Sequence, residues 1–261
     1  MTGSTLDTFT TAVITGAGGG LGKAFAKYLQ GKGKKVILVG RTESNLKEAS
    51  AELDNAPYYV LDTGKVADIP AFVEKVIKEH PEVDSLWNNA GVQRPLKVQD
   101  LDLASADQEI DINIRGPVHL ATAFLPHFKT KKSALIVNVS SVLGFVPFSI
   151  INPVYNGTKA FLHFWSQTQR THLKDTSVRV VEIAPPSVGT DLHRDRDDPD
   201  DNKPEKGAKH SLSIDQFMEE VAKQLDEGTD IITAGVGHEM VKKWYDAYGE
   251  QYQGAADHFK P

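Results

Sequence analysis

Tyr155 and Lys159 stand four residues apart, which puts both side chains on one face of a helix, a turn from each other. A phenol is a weak acid with an ordinary pKa of about 10. An ammonium beside it stabilises the phenolate and lowers that value. The pair is suited to passing a proton to or from a reacting oxygen. Ser141, the second serine of Ser140-Ser141-Val142-Leu143-Gly144, follows a β-branched run and can donate a hydrogen bond to a developing oxyanion. Ser140 is the competing choice. Asn113 lies in a helical pattern, where asparagine is somewhat unfavourable unless its amide is used. Each signal alone is weak, because Tyr-x-x-x-Lys also arises as a plain surface pair and serine pairs follow many strands.

A second cluster, Thr15-Gly16-Ala17-Gly18-Gly19-Gly20-Leu21-Gly22, sits where a strand pattern ends and a helix pattern begins. Glycines there let the backbone approach a pyrophosphate, and the helix N-terminus favours its charge. A nucleotide-triphosphate loop does not fit. With Gly22-Lys23 in place, its first glycine would fall on Ala17 and its final hydroxyl on Ala24. The six-residue Gly-x-Gly-x-x-Gly fingerprint finds no register either.

These groups must be positioned by something regular. Short β-branched runs at 12–15, 35–39, 58–61, 85–87, 135–139 and 178–183 alternate with helical stripes such as Leu21, Ala24, Phe25, Tyr28 and Leu29. Near-continuous apolar strands separated by helices predict an α/β, doubly wound Rossmann-type fold with a mainly parallel sheet, in a single domain. At 261 residues the chain has ample volume for one such core. A net charge of −6 argues against nucleic-acid partners. The absence of cysteine excludes disulfides and thiolate chemistry. The nine histidines lack metal-site spacing, so no metal is expected, and His163 and His172 are read as surface or interface residues. No basic-then-apolar leader and no membrane-length apolar run is present, and a cytoplasmic protein is expected. The charged stretch 191–210, with two prolines, reads as a solvated, mobile loop or a lid. Asp195, Asp197 and Asp198 do not make a calcium loop, which needs a turn glycine and a terminal glutamate.

Taken in order, the glycine segment, Asn88-Asn89-Ala90-Gly91, Asn113, Ser141 and Tyr155-Asn156-Gly157-Thr158-Lys159 resemble the classical short-chain dehydrogenase/reductase family over roughly three quarters of the chain. The resemblance implies hydride transfer with a nicotinamide cofactor, and a catalytic set of Asn113, Ser141, Tyr155 and Lys159. Asn113 would hold a water that relays protons, and Lys159 would also bind the cofactor ribose. The glycine pattern matches Thr-Gly-x-x-x-Gly-x-Gly, so Thr15, Gly16, Gly20, Leu21 and Gly22 are expected at the cofactor. Asp62 is expected near the adenine, and Asn89, Ala90 and Gly91 along the ribose side. At the end of the second strand Gly40 stands where relatives that prefer NAD carry aspartate. Arg41 and Thr42 follow, with donors suited to a 2′-phosphate. NADP(H) is favoured over NAD(H). Pro185, Val188 and Thr190 are expected at the nicotinamide, but Pro186 replaces the family's glycine and removes an amide donor.

The implied activity is NADPH-dependent reduction of a ketone or aldehyde, reversible to alcohol oxidation. The alternatives are another reaction on the scaffold (epimerisation, dehydration or imine reduction) or a non-catalytic NADP(H)-binding regulator. Residues 1–190 are read as the cofactor-binding and catalytic core, 191–212 as the charged substrate loop, and 213–261 as a C-terminal helical region. Arg94, the apolar segment with Phe145, Val146, Pro147, Phe148 and Ile150, and the loop after Thr190 are expected to form a partly apolar pocket. The aromatic stripe of Trp244, Tyr245, Tyr248 and Tyr252 is read as packing ahead of pocket wall. The helices at 110–128 and 153–174 are apolar on more than one face, which predicts a homodimer or homotetramer.

Overall fold

β1 (Thr11–Thr15) is buried along its whole length and pairs in parallel with β2 (Lys35–Gly40) on one side and β4 (Ser85–Asn88) on the other. The computed structural model describes residues 3–260 and extends this core into a seven-stranded parallel sheet of order β3-β2-β1-β4-β5-β6-β7. β3 is Tyr58–Val60, β5 Ala134–Val139 and β6 Val178–Ile183. β7 (Ile231–Ile232) is an edge the sequence pattern did not predict, since two residues carry no period.

Both sheet faces are covered, as the apolar strands require. α1 (Gly20–Gly31), α2 (Glu43–Glu52) and α7 (Ile214–Glu227) close one face, where Phe25 packs 5.3 Å from Trp87. α3 (Ile69–Glu79), α5 (Gly116–Phe128) and α6 (Pro153–Leu173) close the other, around Phe72, Phe124 and Phe128. α7 begins with a reciprocal capping box between Ser213 and Gln216 and ends on left-handed Gly228. Pro153 opens α6, where its missing N–H has no bond to lose.

α4 (Leu103–Ile110) does not pass directly into α5. Residues 111–115 form a π-helical turn with Asn113 in its middle. Such a turn adds a residue to the helix and re-aims the side chains beyond it. α8 (Gly237–His258) closes the chain, and Trp244, Tyr245 and Tyr252 lie against α6, whereas Tyr248 is exposed. No helix among the described residues is long and apolar enough to cross a membrane.

Candidate active site

The strand order turns between β1 and β4, and ligands of such sheets sit beyond the strand ends at that point. Thr15 locks the two strands together there. Its hydroxyl donates to the Trp87 carbonyl (3.1 Å) and accepts from the N–H groups of Asn89 (2.9 Å) and Ala90 (3.0 Å). The Asn89 amide returns a bond to the Thr15 carbonyl (2.8 Å). Thr15 thus supports the cleft from behind, while Gly16, Gly20, Leu21, Asn89, Ala90 and Gly91 line it. Gly16 (φ 69°) and Gly20 (φ 50°) are left-handed, a conformation that favours glycine. A Cβ on Gly22 would lie 2.3 Å from the Gly16 carbonyl oxygen, so Gly22 is not a wall but the reason the turn can fold so tightly. The result is a bare-backbone cradle at a helix N-terminus, which fits a dinucleotide pyrophosphate.

Beyond β2, Arg41 and Thr42 line the same cleft, and Arg41 is exposed. A Cβ on Gly40 would meet the Leu46 side chain at 3.3 Å, so a side chain there would press Leu46 aside by a few tenths of an ångström. Asp62 lies behind the cleft lining, and its carboxylate accepts from the Gly64 N–H (3.0 Å), while its neighbours Leu61 and Thr63 face the cleft.

Ser141, Tyr155 and Lys159 converge at the far end of the same cleft. The Ser141 hydroxyl accepts from the Leu143 N–H (3.1 Å) and reaches the Pro185 carbonyl (3.4 Å). Ser140 turns away and donates to the buried Glu182 carboxylate. That separates the two serines: only Ser141 keeps its hydroxyl at Tyr155. The Lys159 ammonium donates to the Val139 carbonyl (2.8 Å) and sits 5.5 Å from the Tyr155 ring centre. Asn113 does not line the cleft. Its amide oxygen accepts from the Val92 N–H (3.0 Å), and its amide nitrogen donates to the Val92 carbonyl (2.9 Å) and the Thr158 hydroxyl (3.1 Å). The π turn aims it there, so it clasps the segment after β4 to α6.

Burial rather than the ammonium sets the direction of the Tyr155 shift. Burial pushes the Tyr155 phenol above its ordinary range and the Glu109 charge adds to this, against smaller opposing effects of Ser141 and Arg196. Burial brings Lys159 down to about 8, with Glu109 and Glu182 opposing. The direction is opposite to the lowering expected from Lys159, because burial outweighs the neighbouring charges.

Residues 10–201 match the family described as short chain dehydrogenase. The chain belongs to that family. An uncharacterised oxidoreductase of Bacillus subtilis, DltE, is 36% identical over 245 residues, covering 93% of each chain. A short-chain dehydrogenase from Sphingobium yanoikuyae in complex with NADPH is 26% identical and superposes with a TM-score of 0.81 over 97% of each chain. The closed form of serine dehydrogenase complexed with NADP+ is 30% identical, with a TM-score of 0.75 over 86% of this chain and 94% of that one. The protein is a nicotinamide-dependent oxidoreductase of the short-chain dehydrogenase family.

In this dehydrogenase Pro185, Pro186, Val188 and Thr190 line the cleft next to Ser141. The stretch after them, expected as a solvated loop or a lid, carries a hydrogen-bond network of its own. Its base is closed by a parallel bridge between Val188 and Leu212. The Asn202 amide donates to the carbonyls of Val188 (2.8 Å) and Thr190 (3.0 Å). Asp201 binds both His193 and Arg196, and Arg196 reaches on to Gln93 (2.8 Å) and Asn152 (3.0 Å). The charges pair with one another and with Gln93 and Asn152, so the segment is a hydrogen-bonded loop whose start, Asp191, Leu192 and Arg194, lines the cleft. Arg94 binds Gln108 and the Ser105 carbonyl rather than the cleft. Phe145 packs against His163 of α6 (3.9 Å) and Trp244 of α8, whereas Phe148 and Ile150 are exposed.

His163 corrects the reading as a surface residue. It is fully buried, its Nδ1 lies 3.0 Å from Glu182, and Gln167 joins it to Tyr245 of α8. His172 is exposed and stacks on Phe259. Sequence reasoning missed Glu182 and Glu109. A glutamate inside the apolar run Val178–Ile183 is the signal that could have found the first. Among the described residues no cluster could hold a metal ion.

Proposed function

We propose that this dehydrogenase reduces a ketone or aldehyde to an alcohol at the expense of NADPH, with Tyr155 as proton donor. The observation that carries the reading is the convergence of Ser141, Tyr155 and Lys159 at one end of a cleft whose other end is the glycine cradle. A bound NADPH supplies the hydride to the carbonyl carbon. The Ser141 hydroxyl hydrogen-bonds to the carbonyl oxygen as charge builds there, and the Tyr155 O–H transfers its proton to that oxygen. Lys159 restores the Tyr155 proton and, with Thr190 and the Asn89–Gly91 segment, orients the nicotinamide half. The same groups serve the reverse oxidation. Consumption of NADPH with a panel of aldehydes, ketones, diketones and quinones tests the reading. No turnover with any of them, despite tight NADPH binding, counts against it.

The preference for NADPH rests on Arg41, exposed in the cleft, and on Gly40, which offers no carboxylate for a ribose hydroxyl at the end of β2. A hydrogen bond to a charged group contributes about 2 kcal/mol, so Arg41→Ala should weaken NADPH by roughly 30-fold and leave NADH little changed. Equal loss for both cofactors in a binding titration would remove Arg41 from the 2′-phosphate. We further infer a homodimer or homotetramer from the exposed Ile110, Phe161 and Phe164 on the α4–α6 side. Light scattering should give a mass at least twice that of one chain; a monomer at micromolar concentration refutes it.

A further inference from the structure

α6 carries four polar side chains at one-turn intervals, Tyr155, Lys159, His163 and Gln167, and all four are buried. A four-residue step keeps them on one face of the helix. The proposed chemistry uses the first two. The other two lie outside the cleft lining and need a reason of their own, because a buried polar group costs stability unless it is satisfied. Glu182 meets His163 from the apolar strand β6 and is 0% exposed. An apolar side chain in such a place is often as stable or more so.

The bonds of these groups form one chain. The His163 Nδ1 lies 3.0 Å and 3.1 Å from the two Glu182 carboxylate oxygens, and the Ser140 hydroxyl donates to the same carboxylate. On the other side of the ring the Gln167 amide nitrogen lies 3.3 Å from His163 Nε2 and donates to the Tyr245 hydroxyl of α8 (2.9 Å). The ring itself packs against Phe145 (centroids 3.9 Å apart) and Trp244 (4.8 Å). His163 therefore grips both ends of the segment 140–145, Ser140 through Glu182 and Phe145 directly. Between the grips, Gly144 packs so close to α6 that a Cβ would lie 2.6 Å from the Lys159 carbonyl oxygen.

The effect on Ser141 follows from the backbone. Ser140 continues the β5 ladder, its N–H donating to the Ile183 carbonyl (2.8 Å), and Ser141 is extended. Successive side chains of an extended chain point to opposite sides. With the Ser140 hydroxyl drawn to Glu182, the Ser141 side chain is turned the other way, into the cleft that Tyr155 lines.

We propose that His163 and Glu182 are positioning residues for Ser141, a pair that fixes its hydroxyl from behind the cleft and ties it to α8. The proposal rests on the reductase reading, in which Ser141 meets the carbonyl oxygen.

Ser140→Ala tests it with the least disturbance, since it releases the anchor and leaves the His163–Glu182 pair intact. The kcat should fall by about 10-fold to 100-fold, part of what loss of an oxyanion donor costs, with the Kd for NADPH unchanged. Glu182→Leu should do the same. Glu182→Gln, whose amide oxygen can still accept from Ser140, should recover most of the kcat. In a Ser141→Ala background, Ser140→Ala should change kcat by less than about 2-fold, because effects that pass through a shared group are not additive. An unchanged kcat in Ser140→Ala, or the same fall in both backgrounds, overturns the proposal. A Glu182→Leu chain that does not fold leaves the Ser140→Ala comparison standing.

Hydrogen exchange of the unaltered protein and Ser140→Ala needs no substrate. The Val142 N–H is bonded to the Pro185 carbonyl (3.1 Å) and the Leu143 N–H to the Ser141 hydroxyl (3.1 Å). Both should exchange about 5-fold faster in the variant, the equivalent of one hydrogen bond lost. Equal exchange overturns the anchor. Failure to reduce any carbonyl would defeat the reductase reading instead, and the exchange arm would still decide whether Glu182 holds the segment.

Discussion

Tyr155→Phe should lower kcat for carbonyl reduction by about 10³-fold or more while leaving NADPH affinity unchanged, because it removes the transferred proton and nothing else. The phenol is almost completely buried, with the Ser141 hydroxyl as its polar neighbour. Phenylalanine therefore keeps the packing, and the melting temperature should hold or rise. A phenol is protonated at neutral pH and burial raises Tyr155 further, so the proton is in place for transfer. Lys159 should fall in the same way when changed to Met, and the double variant should be little worse than either single one, as for groups that act as a unit. Stopped-flow binding of NADPH alongside steady-state turnover makes the check. A Tyr155→Phe enzyme that keeps more than a tenth of its kcat would move the proton to another donor.

Gly22→Ala is the second large effect. The added Cβ would stand 2.3 Å from the Gly16 carbonyl oxygen and 2.6 Å from the Asn89 amide nitrogen. The oxygen is backbone, held in the turn by left-handed Gly16, so it cannot swing aside. Overpacking of this kind costs about 3 kcal/mol, and the shift it forces opens the cradle. Chemical unfolding should show that loss together with loss of NADPH binding. Gly19→Ala is the comparison: its Cβ would meet nothing within 4 Å and its backbone is extended, so stability should hold. Equal stability of Gly22→Ala and the unaltered chain would mean that the turn is looser than drawn.

Much of this was legible in the letters because it depends on local periodicity. Six of the strands announced themselves as short apolar runs, most of them β-branched, and Gly16, Gly20 and Gly22 marked the turn by where they fall between strand and helix. Ser141 and the Tyr155–Lys159 pair needed only the strand end and one helical turn to meet. What escaped was decided by partners far along the chain. His163 looked like a surface residue because its acid, Glu182, lies on a different element. The charged loop after Thr190 gives no sign in its spacing of the partner it meets: Arg196 finds Gln93, 103 residues away, and Asp201 holds it there. The π turn at 111–115 follows from how α4 and α5 must pack and aim Asn113, a demand that no spacing of apolar residues expresses. Leu46 behind Gly40 was equally invisible, since only the packing of α2 on β2 brings them together.

The lock between Thr15 and Asn89 also bears on how the molecule comes into being. These residues are 74 positions apart, and the strands they end, β1 and β4, meet only after the whole of β2, β3 and the intervening helices has been laid down on one side. Pairings that distant are slow to form, because chain closure must precede the contacts that reward it. Until they form there is no cradle, so a half-folded chain offers the cofactor nothing to hold. The nucleotide then stabilises only the finished structure, in proportion to its concentration over its dissociation constant, and it withdraws protein from the unfolded pool without guiding its assembly.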